Sequence, residues 1–135
     1  MEAIKKRNKM RLKTIAGILF TLCLSQSVAQ DPAKTDGDKY KVILENDRVR
    51  VLEYIDKPGE KTSQHHHPDF VLYALSDFTR KLTLGNGKQV TKELKKGEVI
   101  WMKDQIHIGE NTGKTETHAL IVELKEPPKA QAENK

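Results

Sequence analysis

Three of the five histidines in this chain are consecutive, in Gln64-His65-His66-His67-Pro68-Asp69, and a fourth, His107, lies in a second distinctive stretch. The neutral imidazole is a common protein ligand for borderline divalent metals. On a β-strand alternate side chains share a face, so His65 and His67 project together while His66 points the other way. Two or three imidazoles with an open coordination position make a working metal site rather than a purely structural one. Other chemistry is poorly represented. There is no Gly-x-Ser-x-Gly, no phosphate-binding loop and no His-Glu-x-x-His, and Ser63 and Ser76 have no triad context. His118 opens an apolar run and reads as a hydrogen-bonded barrel or surface histidine.

The elements that must hold these histidines read as strands. Tyr40–Glu45 and Val49–Asp56 are rich in Val, Ile, Leu and Tyr and are separated by Asn46-Asp47; Pro58-Gly59 ends the second. Phe70–Leu75 follows the histidines. Phe78–Leu84 and Gln89–Leu94 flank Gly85-Asn86-Gly87, a hairpin signal because these residues accept positive φ. Glu98–Met102, His107–Asn111 and His118–Leu124 complete the set. No segment carries a helical period. Short strands with turns every 8–12 residues or so predict an all-β sandwich or barrel over residues 40–125. Residues 30–39 and 126–135 are polar or Pro-containing and are expected to be a flexible lead-in and tail.

Residues 1–29 have the layout of a secretory signal peptide: a basic stretch, an apolar run from Ile15 to Leu24, then Ser27-Val28-Ala29 with small residues three and one before a cut after Ala29. The apolar run is short for a membrane span. Export to the periplasm or the exterior follows, with no stable membrane span once the leader is removed. Six of the 24 basic residues and one of the 19 acidic residues lie in this leader, which leaves 18 of each. The sequence pI of about 9.3 therefore belongs to the leader and gives no reason to expect a nucleic-acid partner. The single cysteine, Cys23, lies there too, so the remaining chain has neither disulfide nor thiolate ligand.

Gly59, five residues, His65, one residue and His67 resemble the opening of the first cupin motif, and Gly97 to Asn111, with three residues between His107 and Asn111, resembles the second. The texture of Pro58-Gly59-Glu60, His65 to Asp69, Val71 to Leu75, Trp101-Met102 and Glu110-Asn111 is similar to that of small bacterial cupins, some of them named for β-alanine degradation. The resemblance implies a jelly-roll β-barrel in which His65, His67 and His107 hold one divalent metal, iron, manganese, nickel or zinc. It also implies a homodimer and a small-molecule ligand or substrate.

Two departures from the pattern matter. The positions of the usual ligand Glu hold Val71 and Leu72, and the later motif has Lys103 and Gln105 for its Pro and Gly, with the His one residue early. What remains is a charge-neutral three-histidine set, an arrangement also found in cupins that oxidise thiols; Asp69 and Glu110 are the alternative carboxylates. Tyr73 shares parity with His65 and His67, and together with Gln64, Gln105 and Trp101 it is a candidate to line the pocket. Asn111 is expected to tie a strand end by side-chain hydrogen bonds. Two readings follow: a metal-dependent oxygenase or related small-molecule enzyme, and a non-catalytic barrel that binds or senses a small ligand with or without metal. A purely structural domain ranks below both because it leaves the histidines unexplained.

Overall fold

The computed structural model describes residues 30–126. The leader and most of the tail lie outside the described residues, and none of the described helices is long and apolar enough to cross a membrane. A one-turn helix, α1 (Pro32–Thr35), precedes nine strands: β1 (Tyr40–Glu45), β2 (Val49–Asp56), β3 (His65–His67), β4 (Phe70–Ala74), β5 (Phe78–Leu84), β6 (Gln89–Leu94), β7 (Val99–Met102), β8 (Gln105–Asn111) and β9 (Thr117–Leu124). They form two antiparallel sheets, in the orders β1-β2-β9-β4-β7 and β3-β8-β5-β6. The inner faces meet in a jelly-roll barrel.

The alternation of each strand decides what faces inward. In β9, Thr117, Ala119, Ile121 and Glu123 are buried and the residues between them are not. In β2 the partners on the same face are Arg50, Leu52, Tyr54 and Asp56, in register with Glu123, Ile121, Ala119 and Thr117. Tyr40, Leu52, Tyr54, Phe70 and Ile121 pack into one apolar cluster, and Ala74, Phe78, Leu94 and Ala119 into a second. Fully burying a side chain such as Leu52 contributes about 1.5–3 kcal/mol. The β5–β6 hairpin turns at Asn86-Gly87, where the Asn86 carboxamide oxygen accepts the Lys88 N–H at 3.0 Å and Gly87 has a φ of 83° that disfavours any side chain.

Residues 30–39 differ from the flexible lead-in expected of them. Asp31 caps α1 by accepting the Ala33 N–H at 3.0 Å, and Pro32 fills the first helical position, where its missing N–H is no loss. Pro32 and Asp36 are both buried. The Gln30 carbonyl accepts the His66 N–H at 3.0 Å, so this segment lies along the histidine strand. Its polarity signals hydrogen-bonded docking, which composition alone does not separate from disorder.

Candidate metal centre

Strand pairing assembles the three histidines. In the β3–β8 ladder His65 stands directly opposite His107, and His67 opposite Gln105. Residues facing each other across an antiparallel pair hold their Cβ atoms roughly 4.5–5.5 Å apart on one face. Imidazole centroids are accordingly 4.7 Å apart for His65 and His107, 4.8 Å for His65 and His67, and 5.4 Å for His67 and His107. One nitrogen from each ring lies within 4.8 Å of the others, and all three residues are buried. His66 points outward and bonds the Asp104 carboxylate at 3.0 Å.

Two of the rings are oriented by partners behind them. His65 Nδ1 meets the Ser63 carbonyl at 2.9 Å, and His67 Nδ1 meets Glu123 Oε1 at 2.6 Å. A carbonyl and a carboxylate are acceptors, so each Nδ1 donates and each Nε2 keeps its lone pair, which is the tautomer a metal requires. His65 Nε2 lies 3.2 Å from the Tyr40 hydroxyl. The His107 Nδ1 is buried without a hydrogen-bond partner. A buried polar atom left unmet costs free energy unless something else satisfies it. Two pre-oriented imidazoles and one orphaned nitrogen fit a divalent metal.

Electrostatics favour neutral rings at His65 and His107. Burial, reinforced by His67, pulls His65 down to about 4. Burial again, with His67 and His65 beside it, takes His107 to about 2. Glu123 runs the other way. Burial would raise its pKa, yet hydrogen bonds from His67 and Arg50 hold it below the usual carboxylate range. Arg50 Nε reaches Glu123 Oε2 at 2.6 Å and its Nη1 reaches Asp31 Oδ2 at 2.9 Å. Asp31, Arg50, Glu123 and His67 thus form one chain of contacts. A parallel path starts at Asp36, whose carboxylate accepts the Ser63 N–H at 3.0 Å while the Ser63 carbonyl holds His65.

No family model matches the chain, and no curated protein matches it. Solved structures do. A cupin domain from Bordetella pertussis Tohama I is 28% identical with a TM-score of 0.59, over 64% of this chain and 92% of that one. The present chain is a small cupin-domain protein. A cupin-family protein with a double-stranded β-helix fold from Methanocaldococcus jannaschii is 14% identical with a TM-score of 0.53, over 65% of this chain and 80% of that one. A polyketide cyclase from Streptomyces resistomycificus is 22% identical with a TM-score of 0.50, over 66% of each chain. At those identities the last two share the fold.

Within this cupin the structure corrects several sequence expectations. Tyr73 and Trp101 are 40% and 49% exposed and lie on the outer face, not in the pocket. Parity failed for Tyr73 because the chain crosses from one sheet to the other at Pro68-Asp69, which restarts the alternation with Phe70 inward. Trp101 sits opposite Val71 on that outer face. Gln64 is exposed in the loop before β3, whereas half-buried Gln105 stands opposite His67, on the side of β8 that carries His107, and borders an open depression by the β5–β6 turn. Neither alternative carboxylate joins the cluster: Asp69 accepts the Asp104 N–H at 2.7 Å, and Glu110 pairs with Lys81 at 2.8 Å.

Sequence reasoning missed Glu123, Tyr40 and the buried group Tyr54, Asp56, Arg80 and Asn111. Glu123 and Arg80 carried a signal, each being a charged residue at an inward position of an alternating strand. Tyr40 carried none, because the rest of β1 is exposed. Asn111 does tie a strand end: its Nδ2 donates to Asp56 Oδ1 at 3.1 Å and to the Thr115 carbonyl at 2.9 Å. His118 bonds Glu53 at 2.9 Å on the outer face.

Proposed function

We propose that this cupin is an exported, metal-dependent enzyme acting on a small molecule, with His65, His67 and His107 as ligands. The observation that carries the reading is the trio of buried imidazoles, two with Nδ1 committed to protein acceptors and the third with an unmet nitrogen. Bound there, a divalent first-row metal supplies Lewis acidity or, where redox-active, oxygenase chemistry. The protein's own residues do the rest. Glu123 and the Ser63 carbonyl fix the tautomers, and the apolar walls exclude water. Tyr40 keeps a proton at Oη beside the cluster, since burial raises its pKa, and can donate it to an oxygen of a bound small molecule. The leader layout supports export. The apolar residues exposed on the five-stranded sheet, Tyr73, Val99 and Trp101 among them, support a homodimer.

One observation favours the second reading, a barrel that binds without turnover. The buried carboxylates Asp36, Asp56 and Glu123 are all engaged in hydrogen bonds or ion pairs, which leaves none free to act as a base. Metal content of untagged protein, measured by plasma mass spectrometry beside His65→Ala, tests the metal site. Close to one equivalent is expected, falling to background in the variant. No metal after reconstitution with iron, manganese, nickel and zinc would sink the reading. Dioxygen uptake by the loaded protein then separates oxygenase from binder.

A further inference from the structure

The barrel interior beside the histidines contains a cavity of about 50 Å³. A water needs roughly 10–15 Å³ on this measure, so the space suits a few waters or a ligand with a handful of heavy atoms. Most of its wall is apolar, including Phe70, Phe78, Leu94, Ile100 and Met102, and His67 and His107 line it. Strands β6 and β7, each the last in its sheet, both contribute to the wall.

Two cations interrupt that apolar wall, Arg80 and Lys92. They stand directly opposite each other in the β5–β6 ladder, a placement that repels unless something negative lies between. Asp56 balances Arg80. No carboxylate among the described residues pairs with Lys92, which is half-buried on the inner face of β6. The hydrogen bonds of Arg80 to Tyr54, Asp56 and Thr117 all run through Nη1, and its Nη2 and Nε pack over Gly109.

The guanidinium is also close to the histidines. A Cβ placed on Gly109 would collide with Arg80 Nη2, so the guanidinium packs directly over that glycine. Gly109 is the next inward position of β8 after His107, a rise of about 7 Å at roughly 3.4 Å per residue. One short molecule spans that distance.

Resting on the metal-site reading above, we infer that the cavity takes a small aliphatic monocarboxylate. Its carboxylate sits against Lys92, on the side of the cavity that faces Arg80, and its apolar body reaches along the phenylalanine wall to the histidines. The Lys92 ammonium can donate to a carboxylate, and one unbalanced positive charge matches one negative charge.

Calorimetric titration of the zinc-loaded and the metal-free protein tests this, with butanoate as probe and 1-butanol, butylamine and inorganic phosphate as controls. Butanoate should saturate, and butanol and butylamine should not. Lys92→Gln should weaken butanoate roughly tenfold or more, and Lys92→Glu should abolish it at an unchanged melting temperature. Butanol or phosphate binding as tightly as butanoate, or Lys92→Gln leaving its affinity unchanged, would overturn the inference. The metal reading fails separately: butanoate binding that depends on Lys92 in a protein that takes up no metal would leave the anion site standing and remove the metal.

Discussion

The barrel holds two buried polar groups that are completed in different ways. Around Asp56 the chain supplies its own partners. Arg80 and Tyr54 donate to one carboxylate oxygen and Asn111 to the other, and the negative charge is balanced by the guanidinium. Around His107 the chain stops short: three rings crowd together, His65 and His107 are kept neutral by burial, and one nitrogen goes unmet. The first arrangement holds two sheets in register and asks for nothing outside the protein at Asp56. The second carries an uncompensated desolvation cost that a ligand can relieve. Buried polarity by itself therefore does not mark a site; incomplete satisfaction does.

The largest effect expected from breaking this comparison falls on the self-sufficient cluster. Asp56→Ala leaves a buried Arg80 without its counter-charge and should cost about 3–5 kcal/mol in urea unfolding. Replacing both charges, as Asp56→Leu with Arg80→Leu, should recover much of that loss, because no unpaired ion remains. A single variant that loses less than about 1 kcal/mol, the range of an exposed ion pair, would mean that the cluster does not brace the fold.

The opposite pattern is expected at the histidines. His107→Leu removes a ligand and, with it, the orphaned nitrogen. Metal content should fall to background, while the metal-free protein should unfold at the same urea concentration as the parent or gain about 1 kcal/mol. A loss above about 2 kcal/mol in the metal-free state would show that His107 is structural and would erase the contrast between the two clusters.

The legibility of each region follows from the range of the interactions that build it. The strands were readable because alternation and turn residues act within a few positions, and β1, β2, β5 and β6 begin and end where the pattern places them. The histidine cluster was readable because one strand supplies two of its members at the two-residue spacing a shared face requires. Tyr73 was misplaced because parity does not survive a crossing between sheets. Glu123 was missed although its inward position was visible, because only the pairing of β2 with β9 brings Arg50 beside it. The lead-in was missed for a related reason: Asp31 and Asp36 are polar in composition but committed in space, to Arg50 and to Ser63.

That last contact gives the smallest and most selective prediction. Asp31→Asn keeps an oxygen that can cap α1 and removes only the charge facing Arg50. Asp31 is 28% exposed, so the loss at neutral pH should be about 1 kcal/mol or less. The effect has a defined sign with pH. Burial opposes the shift, but Arg50 and the Ala33 N–H hold Asp31 below its usual value of 3.8. The unfolded chain therefore takes up the proton first as pH falls. The advantage of the parent over Asp31→Asn should be complete above the unfolded value and shrink as pH drops through 3.8 towards the lower folded value. Urea midpoints of the two proteins at pH 7 and pH 3 measure the closing gap, and a gap that stays constant would remove the charge from the account. Metal affinity supplies the second readout. Loss of a direct histidine partner such as Glu123 is expected to cost roughly 10–100-fold, and Asp31, acting through Arg50 and then Glu123, should cost clearly less than that. Equal losses for Asp31→Asn and Glu123→Gln would mean that the lead-in controls the orientation of His67 as directly as the carboxylate that touches it.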